Sequence, residues 1–531
     1  MRQTKLPVII FSFLIALFCT WSIMFIYKSS FLINGIRYYS LFDDAMISMK
    51  YSWQFIHGYG LVWNHLDRVE GYTNLLWVII MALFQIIFEQ RFAVLSIQIL
   101  GIFIILGIAF ASVKIAHVAK VVEEKNKNLH TFLILLLIFS YYPLLYWTLM
   151  GMETGLLTLS ILLAALYMLK LMRLRRLQDG LMMSFFLSLS YLIRPDSFYL
   201  AIVILLSSYI YFIVSNKKGE NKKIYFGIIA PYMLVILTHM ALRKYYYGEI
   251  VPNTVMLKVF GMSTWFRIEN GYGFIKPFIN ESLFIIVFAF TSVIHRFSKI
   301  KLIFFLLFLS SCFYQIFVGG DSWNYWRFLV PAMPFVFILA SAEIVQVGRY
   351  ILNNNLLKKI KTQLLMPIFC ILVTVGVIFG HNNRFLKQMV FKEGIYSVEY
   401  NVINTVYALR LKEITKPNAT VGVVWAGAIP YYSERDGIDF LGKSDKYIAH
   451  LKPDLTIFNS VYGMKTLPGH NKFDLRYSII FLHPDVIERS DWANQAVGLR
   501  PDFKYKPYTY KNISFLIHDK SPNILWDKLK K

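Results

Sequence analysis

Residues 42–64 read FDDAMISMKYSWQFIHGYGLVWN: two adjacent carboxylates, Asp43 and Asp44, open an amphipathic stretch carrying Met46, Met49, Trp53 and Phe55. What precedes this stretch decides the fold. Arg2 and Lys5 lead into an unbroken apolar run from Leu6 to Tyr27. That run is too long for the apolar core of a typical signal peptide and lacks a small-residue cleavage pattern. It reads as a first transmembrane helix, retained as an anchor. Residues 28–74 then form the first loop beyond the membrane, and the paired acids lie in it.

Working outward, the pattern repeats. The chain has 531 residues, 57% of them hydrophobic and 16% charged, with a mean hydropathy of +0.51. A soluble domain carries about 25% charged residues, so the composition belongs to a bilayer. A spanning helix needs about 20 apolar residues, which predicts spans at 7–27, 92–113, 129–146, 155–172, 180–193, 198–214, 224–242, 282–297, 301–318, 328–347 and 364–380. With the N-terminus in the cytoplasm, the cation-rich loops Lys114–Lys127, Lys170–Arg176, Lys217–Lys223, Arg296–Lys301 and Arg349–Lys361 all fall inside, as the positive-inside rule requires. The net charge of +24 is therefore mostly topology, and it gives no reason to expect nucleic acid. The apolar segment Leu75–Phe88 is short for a span and is expected to be a juxtamembrane or re-entrant helix; a twelve-span count is the alternative. Residues 1–381 thus form a transmembrane domain.

Residues 382–531 turn polar, with an amphipathic stretch Val398–Ile414 and β-rich runs ATVGVVWAGAIPYYS, LTIF, YSIIFL and ISFLI. They predict a soluble α/β domain on the extracytoplasmic side. The fold class expected is a polytopic α-helical membrane protein of about eleven spans with that domain attached, in the inner (plasma) membrane.

The outside loops hold the candidate chemistry. A carboxylate at Asp43 or Asp44, beside apolar surface, keeps a raised pKa suited to a general base; the plainer reading is a helix cap. Arg68, Glu70, Tyr72 and Asn74 stand in RVEGYTN, where a polar capped turn is the bland alternative, and the two-residue spacing of Arg68 and Glu70 lets both enter one site in extended chain. Arg194 and Asp196 flank a proline at a membrane boundary, where charge is expensive and marks function unless it is a structural ion pair. GGDSWNYWRFLVP adds Asp321, Trp323, Tyr325 and Arg327, rings beside charges that suit sugar recognition or, more simply, an interfacial aromatic belt. Glu153, Asn253 and Lys258 complete the set. Arg and Lys on one membrane face suit a lipid carrier's phosphate.

No HExxH, Walker A or dinucleotide motif occurs. Chemistry outside the cytoplasm then needs a donor activated beforehand, such as a sugar on a polyprenyl phosphate. No metal ligand set is assigned and no cofactor is required, although the carboxylates leave room for a divalent cation.

These segments resemble the GT-C glycosyltransferases, and among them the bacterial terminal β-(1→2)-arabinofuranosyltransferase-like membrane proteins. The matching stretches are FDDAMISMKYSWQFIHGYGLVWN, DRVEGYTNLLW, GMET, IRPD, PNT, GGDSWNYWRFLVP and YYSERDGIDFLGKSD, in the family's order from Leu41 to Asp445. The resemblance implies inverting transfer from a polyprenyl-phosphate sugar to a glycan or glycolipid hydroxyl of the cell envelope. It carries the base to Asp43, with Asp44 as neighbour or substitute. Phosphate neutralisation is assigned to Arg68, Arg194 and Arg327 from charge and side alone. DFLGKSD (439–445) departs from the family's DLLGL, so the arabinose identity is not carried over. The alternatives are a transporter or flippase of an anionic glycolipid, which should show midplane charge and repeated halves, and a non-catalytic glycan-binding envelope protein.

Overall fold

The computed structural model describes residues 5–65, 67–214, 220–323, 325–353, 362–456, 463–488 and 505–529. The apolar runs become helices, because a bilayer leaves backbone amides no partner but one another. Six helices among the described residues are long and apolar enough to cross a membrane: Pro7–Ser29, Gln90–Ala119, Thr154–Leu174, Tyr225–Tyr247, Lys299–Val318 and Val330–Ile351. Large apolar side chains such as Val8, Phe13, Phe226, Leu234 and Phe313 stand exposed along them, on a surface made for lipid. The chain is a polytopic membrane protein.

The other expected spans are shorter or bent. Glu124–Ser140 meets Tyr142–Leu149 at 54°, where Pro143 has no amide to donate to the preceding turn. The expected span 282–297 is the 13-residue helix Leu283–His295, set at 82° to Thr264–Glu281. Leu365–His381 turns by 70° into Asn383–Met389. Leu177–Ile193, Pro195–Tyr211 and Leu75–Ile87 are shorter apolar helices. Of the basic loops, 217–219 and 354–361 lie outside the described residues.

The first loop folds as a small hairpin, β1 (Phe31–Ile33) with β2 (Ile36–Tyr38), followed by the helix Asp43–Ile56. Over it sits the C-terminal α/β domain, a five-stranded sheet in the order β4-β3-β5-β7-β6. Strands β3 (Thr420–Val423), β4 (Asp436–Asp439) and β5 (Val486–Ile487) run parallel, while β6 (Tyr505–Tyr510) and β7 (Ile513–His518) form an antiparallel hairpin. The amphipathic helix spans Val398–Ile414, as its periodicity predicts. Other expected strands differ. In ATVGVVWAGAIPYYS only Thr420–Val423 is a strand, and Ala428–Ser433 is helical. YSIIFL belongs to the π-helical turn Arg476–Phe481, opened by Asp474, whose carboxylate accepts the Tyr477 amide at 3.1 Å; a short apolar run does not separate strand from helix. Half of LTIF lies outside the described residues, and ISFLI is β7.

First loop and C-terminal domain share a core. Ile47, Tyr51, Trp63, Tyr72 and Val78 pack in one buried cluster with Leu411, Val421, Val423, Ile429 and Phe515. Polar contacts fasten the same seam: the Trp63 indole donates to the Ala426 carbonyl at 3.1 Å, and Asn64 exchanges two hydrogen bonds with the Gly437 backbone at 2.7 and 2.8 Å. The seam holds the acidic pair against the domain.

Candidate active site

Asp43 and Asp44 form the first turn of the helix Asp43–Ile56, so their side chains diverge by about 100° around its axis. Asp43 is buried against the C-terminal domain. Its two oxygens accept the amides of Gly427 at 3.1 Å and Ala428 at 2.9 Å, at the start of the helix Ala428–Ser433. Gly427 has to be glycine here, since an added Cβ would lie 2.1 Å from the Asp43 carbonyl oxygen. Burial pushes the Asp43 carboxyl up to about 6, against the pull of the Ala428 amide.

Asp44 has the opposite environment. One oxygen is paired with the Lys443 ammonium; the other accepts from Arg327 at 2.9 Å and from the Trp323 indole at 3.2 Å. Burial by itself would raise this carboxyl, but Lys443 and then Arg327 outweigh it and hold it far below the ordinary carboxylate range.

Two cavities meet at Asp44. The larger, about 610 Å³, is lined by Arg194, Lys258, Arg327 and Lys443 and by an apolar wall that includes Phe198, Val255 and Phe328. The smaller, about 70 Å³, is lined by Asp43, Asp439, Trp323, Trp425 and His470 among others. Only Asp44, Ile47 and Lys443 line both.

Three cations of the larger cavity gather around one ring, with Arg194, Arg327 and Lys258 at 4.4, 5.0 and 5.6 Å from the centre of Phe328. Their pairing is unequal. Arg327 makes a two-pronged contact with Asp321 at 2.8 and 3.0 Å besides reaching Asp44. Arg194 is held by Asp196 at 2.9 Å through both prongs and by Glu153 at 2.5 Å. Among the described residues Lys258 has a single ion-pair partner, Asp321, at 3.6 Å. Burial pushes its ammonium down to about 8, against the pull of Asp321, and an anion entering the cavity would satisfy it. The loop bearing Arg327 is itself strained: Tyr325 and Trp326 have φ of +69° and +42°, a region L-residues occupy at a cost of about 1–3 kcal/mol each.

Among the residues singled out from the sequence, Tyr72, Asn74, Glu153, Arg194, Asp196, Lys258 and Arg327 line the larger cavity with Asp44. Asn74 donates to Glu153 at 3.0 Å and thereby steadies Arg194. Asp321 lies behind the wall as the partner of Arg327 and Lys258. Asn253 donates to the carbonyls of Gly442 and Lys443, each at 2.9 Å, fixing the Lys443 loop. Trp323 lines the smaller cavity. Three expectations change. Arg68 is exposed and stacks on Tyr246 at 4.8 Å, outside both cavities. Glu70 is buried against Arg243 at 2.5 and 3.1 Å, as a brace between the first loop and the helix Glu220–Tyr247. The backbone between Arg68 and Glu70 thus turns one side chain out and the other in. Tyr325 is buried, its hydroxyl donating to Gln388 at 2.9 Å within an aromatic cluster.

Sequence reasoning missed Lys443, Arg243, Trp425 and His470. Lys443 was marked by its motif, since it stands in the DFLGKSD stretch that departs from the family pattern. Asp439 shapes that loop by accepting the amides of Leu441, Gly442 and Ser444 at 3.0, 3.1 and 2.7 Å, and Gly442 takes a φ of +77° that favours glycine.

A divalent cation wants several free carboxylate oxygens. Both Asp44 oxygens face cations, both Asp43 oxygens face amides, and no group of three His, Cys, Asp or Glu suited to a metal occurs among the described residues. These carboxylates do not fit a divalent cation.

Membrane helices around an acid-bearing first loop, covered by a C-terminal α/β domain, make up an architecture with solved counterparts. Solved structures share it over the whole chain. ArnT from Cupriavidus metallidurans in the apo state has a TM-score of 0.56 at 10% identity, covering 97% of this chain and 98% of that one. The same protein bound to undecaprenyl phosphate has a TM-score of 0.53 at 10% identity, with coverage of 95% and 97%. The Archaeoglobus fulgidus oligosaccharyltransferase in the apo form has a TM-score of 0.54 at 11% identity, with coverage of 97% and 75%. Residues 393–514 match a family described as Domain of unknown function (DUF8728). No curated protein matches the sequence.

Proposed function

We propose that this protein is an inverting glycosyltransferase that takes a sugar from a polyprenyl-phosphate donor and adds it to a cell-envelope glycan or glycolipid hydroxyl on the extracytoplasmic side. The observation that carries this reading is the larger cavity, which joins an apolar wall to a cluster of Arg194, Lys258, Arg327 and Lys443 and is also lined by Asp44. An apolar chain with an anionic head matches those two surfaces. One structural neighbour binds undecaprenyl phosphate and another dolichol phosphate, which supports the same assignment.

The chemistry requires a base on one face of the anomeric carbon and charge stabilisation on the other. The acceptor oxygen bonds to that carbon, its proton passes to a carboxylate, and the bond to the phosphate oxygen breaks. The departing polyprenyl phosphate gains a negative charge, which Lys258 is best free to meet. Between Asp43 and Asp44, the geometry favours Asp44 as base. It borders both cavities, it is ionised at neutral pH, and a phosphate arriving beside Lys258 and Lys443 would raise its proton affinity. Asp43 then serves as its neighbour and as the clamp to the C-terminal domain.

The test is to incubate the purified chain, in nanodiscs, with a panel of polyprenyl-phosphate sugars and envelope glycans. The expected result is release of polyprenyl phosphate from one donor and a product of inverted anomeric configuration. No turnover of any donor, with labelled lipid crossing proteoliposomes intact, would establish the transporter reading in its place.

A further inference from the structure

The two cavities differ in chemistry as much as in size. Of the side chains lining the smaller one, Lys443 is the sole cation and is already paired with Asp44, whereas Asp43, Asp44 and Asp439 supply carboxylate oxygens. Its volume of about 70 Å³ corresponds to roughly two waters of liquid. That is too little for a lipid chain but enough for the hydroxyl-bearing edge of one sugar ring.

A file of aromatic rings runs from Asp44 through this cavity to the surface. The Trp323 indole touches Asp44; Trp425 lies nearly parallel to Trp323, with centres 6.2 Å apart and planes at 28°. Tyr400 is nearly parallel to Trp425 at 5.3 Å and 26°, and is half exposed. His470, also in the lining, is edge-on to Trp323 at 5.1 Å. The rings come from distant parts of the chain, and the backbone of Trp425 is held in place: the Glu488 carboxylate accepts the amides of Val424 and Trp425 at 2.7 and 3.1 Å.

Ring faces carry negative charge density and suit the weakly positive C–H face of a sugar, while carboxylates and a neutral imidazole accept hydroxyl protons. Carboxylates repel an anionic guest. We propose that the smaller cavity and its aromatic file receive the acceptor, and that the acceptor presents an uncharged sugar residue seated on Trp425 and Tyr400, one hydroxyl reaching Asp44. The DUF8728-matching region thereby holds the acceptor across Asp44 from the donor. This rests on the glycosyl-transfer reading above.

The full chain in nanodiscs is titrated, by saturation-transfer NMR, with methyl glycosides of uncharged hexoses, 6-deoxyhexoses and pentoses, and with methyl glucuronide. Undecaprenyl phosphate binding is measured on the same samples. At least one uncharged glycoside should bind, and more tightly than the glucuronide. Trp425→Ala should weaken it about tenfold, Trp425→Phe should keep most of the affinity, and Tyr400→Ala should weaken it less. All variants should bind undecaprenyl phosphate like the wild type, which also reports that they fold. Unchanged glycoside binding in Trp425→Ala, a preference for the glucuronide, or no binding of any uncharged glycoside overturns the acceptor proposal. Failure of the wild type to bind undecaprenyl phosphate instead overturns the donor reading, whatever the glycosides do.

Discussion

Two regions of one site, a single residue apart in sequence, work under opposite electrostatics. On the Asp44 side, cations crowd a carboxylate and an apolar wall adjoins them. On the Asp43 side, a carboxylate faces backbone amides, its proton held by burial up to about 6. Being acidic and adjacent does not make the two interchangeable. What a carboxylate can do is set by the groups that meet it, and the helix turn between them sends Asp44 to the larger cavity and Asp43 to a domain seam.

That contrast can be broken most decisively at Asp44. Asp44→Asn keeps the size but removes the proton acceptor, so transfer should fall by roughly 10²–10⁴ while the lipid still binds. Full turnover in Asp44→Asn, at normal expression, would return the base to Asp43.

A second, smaller effect belongs to the cations. Lys258→Ala should weaken undecaprenyl phosphate binding about ten- to a hundredfold, the worth of a charged hydrogen bond of about 1.5–3 kcal/mol. Arg327→Ala is a poorer probe, because it strands Asp44 and Asp321 without their partner. Isothermal titration of the two lysines and the arginine would rank them; equal losses would mean that unequal pairing does not govern anion binding.

At Asp43 the effect should be on stability more than on binding. Asn offers one oxygen where Gly427 and Ala428 need two, so Asp43→Asn should cost about 1–3 kcal/mol at the seam. The sign of its pH dependence is fixed by the raised pKa. From about pH 4 to pH 6 the unfolded chain ionises Asp43 before the folded chain does, so this group's contribution to stability declines as pH rises through that window. Thermal unfolding of wild type and Asp43→Asn across pH 4–7 should show that slope in the wild type and its loss in the variant. Parallel curves would mean that Asp43 is solvated in the folded protein.

The smallest effect is expected at Arg68. Exposed and stacked on Tyr246, it should tolerate Arg68→Ala with unchanged lipid affinity. A tenfold loss there would bring the loop 67–70 into the lipid's path.

The acid pair, the membrane helices and most of the charged residues lining the larger cavity were legible in the sequence because each leaves a local mark: an apolar run, a charge at a membrane boundary, a helix period in Val398–Ile414. Arg68 and Glu70 were not separable, since extended spacing says nothing about which way a coil turns its side chains. Which of Asp43 and Asp44 faces the larger cavity depends on Gly427, hundreds of residues away in sequence, and no local pattern records it. YSIIFL failed for a different reason: six apolar residues satisfy a strand and a buried helical turn equally. Lys443 was in view as a departure from a family motif, but its pairing with Asp44 exists only once the C-terminal domain docks.

The central claim is that the larger cavity holds the donor's lipid phosphate beside Asp44. Cryo-electron microscopy of the full chain in nanodiscs with undecaprenyl phosphate tests it directly. The phosphate should lie within hydrogen-bond distance of Lys258, with its chain along the wall of Phe198 and Val255. Density for the phosphate outside that cavity, with Lys258 still beside Asp321 alone, would contradict the account.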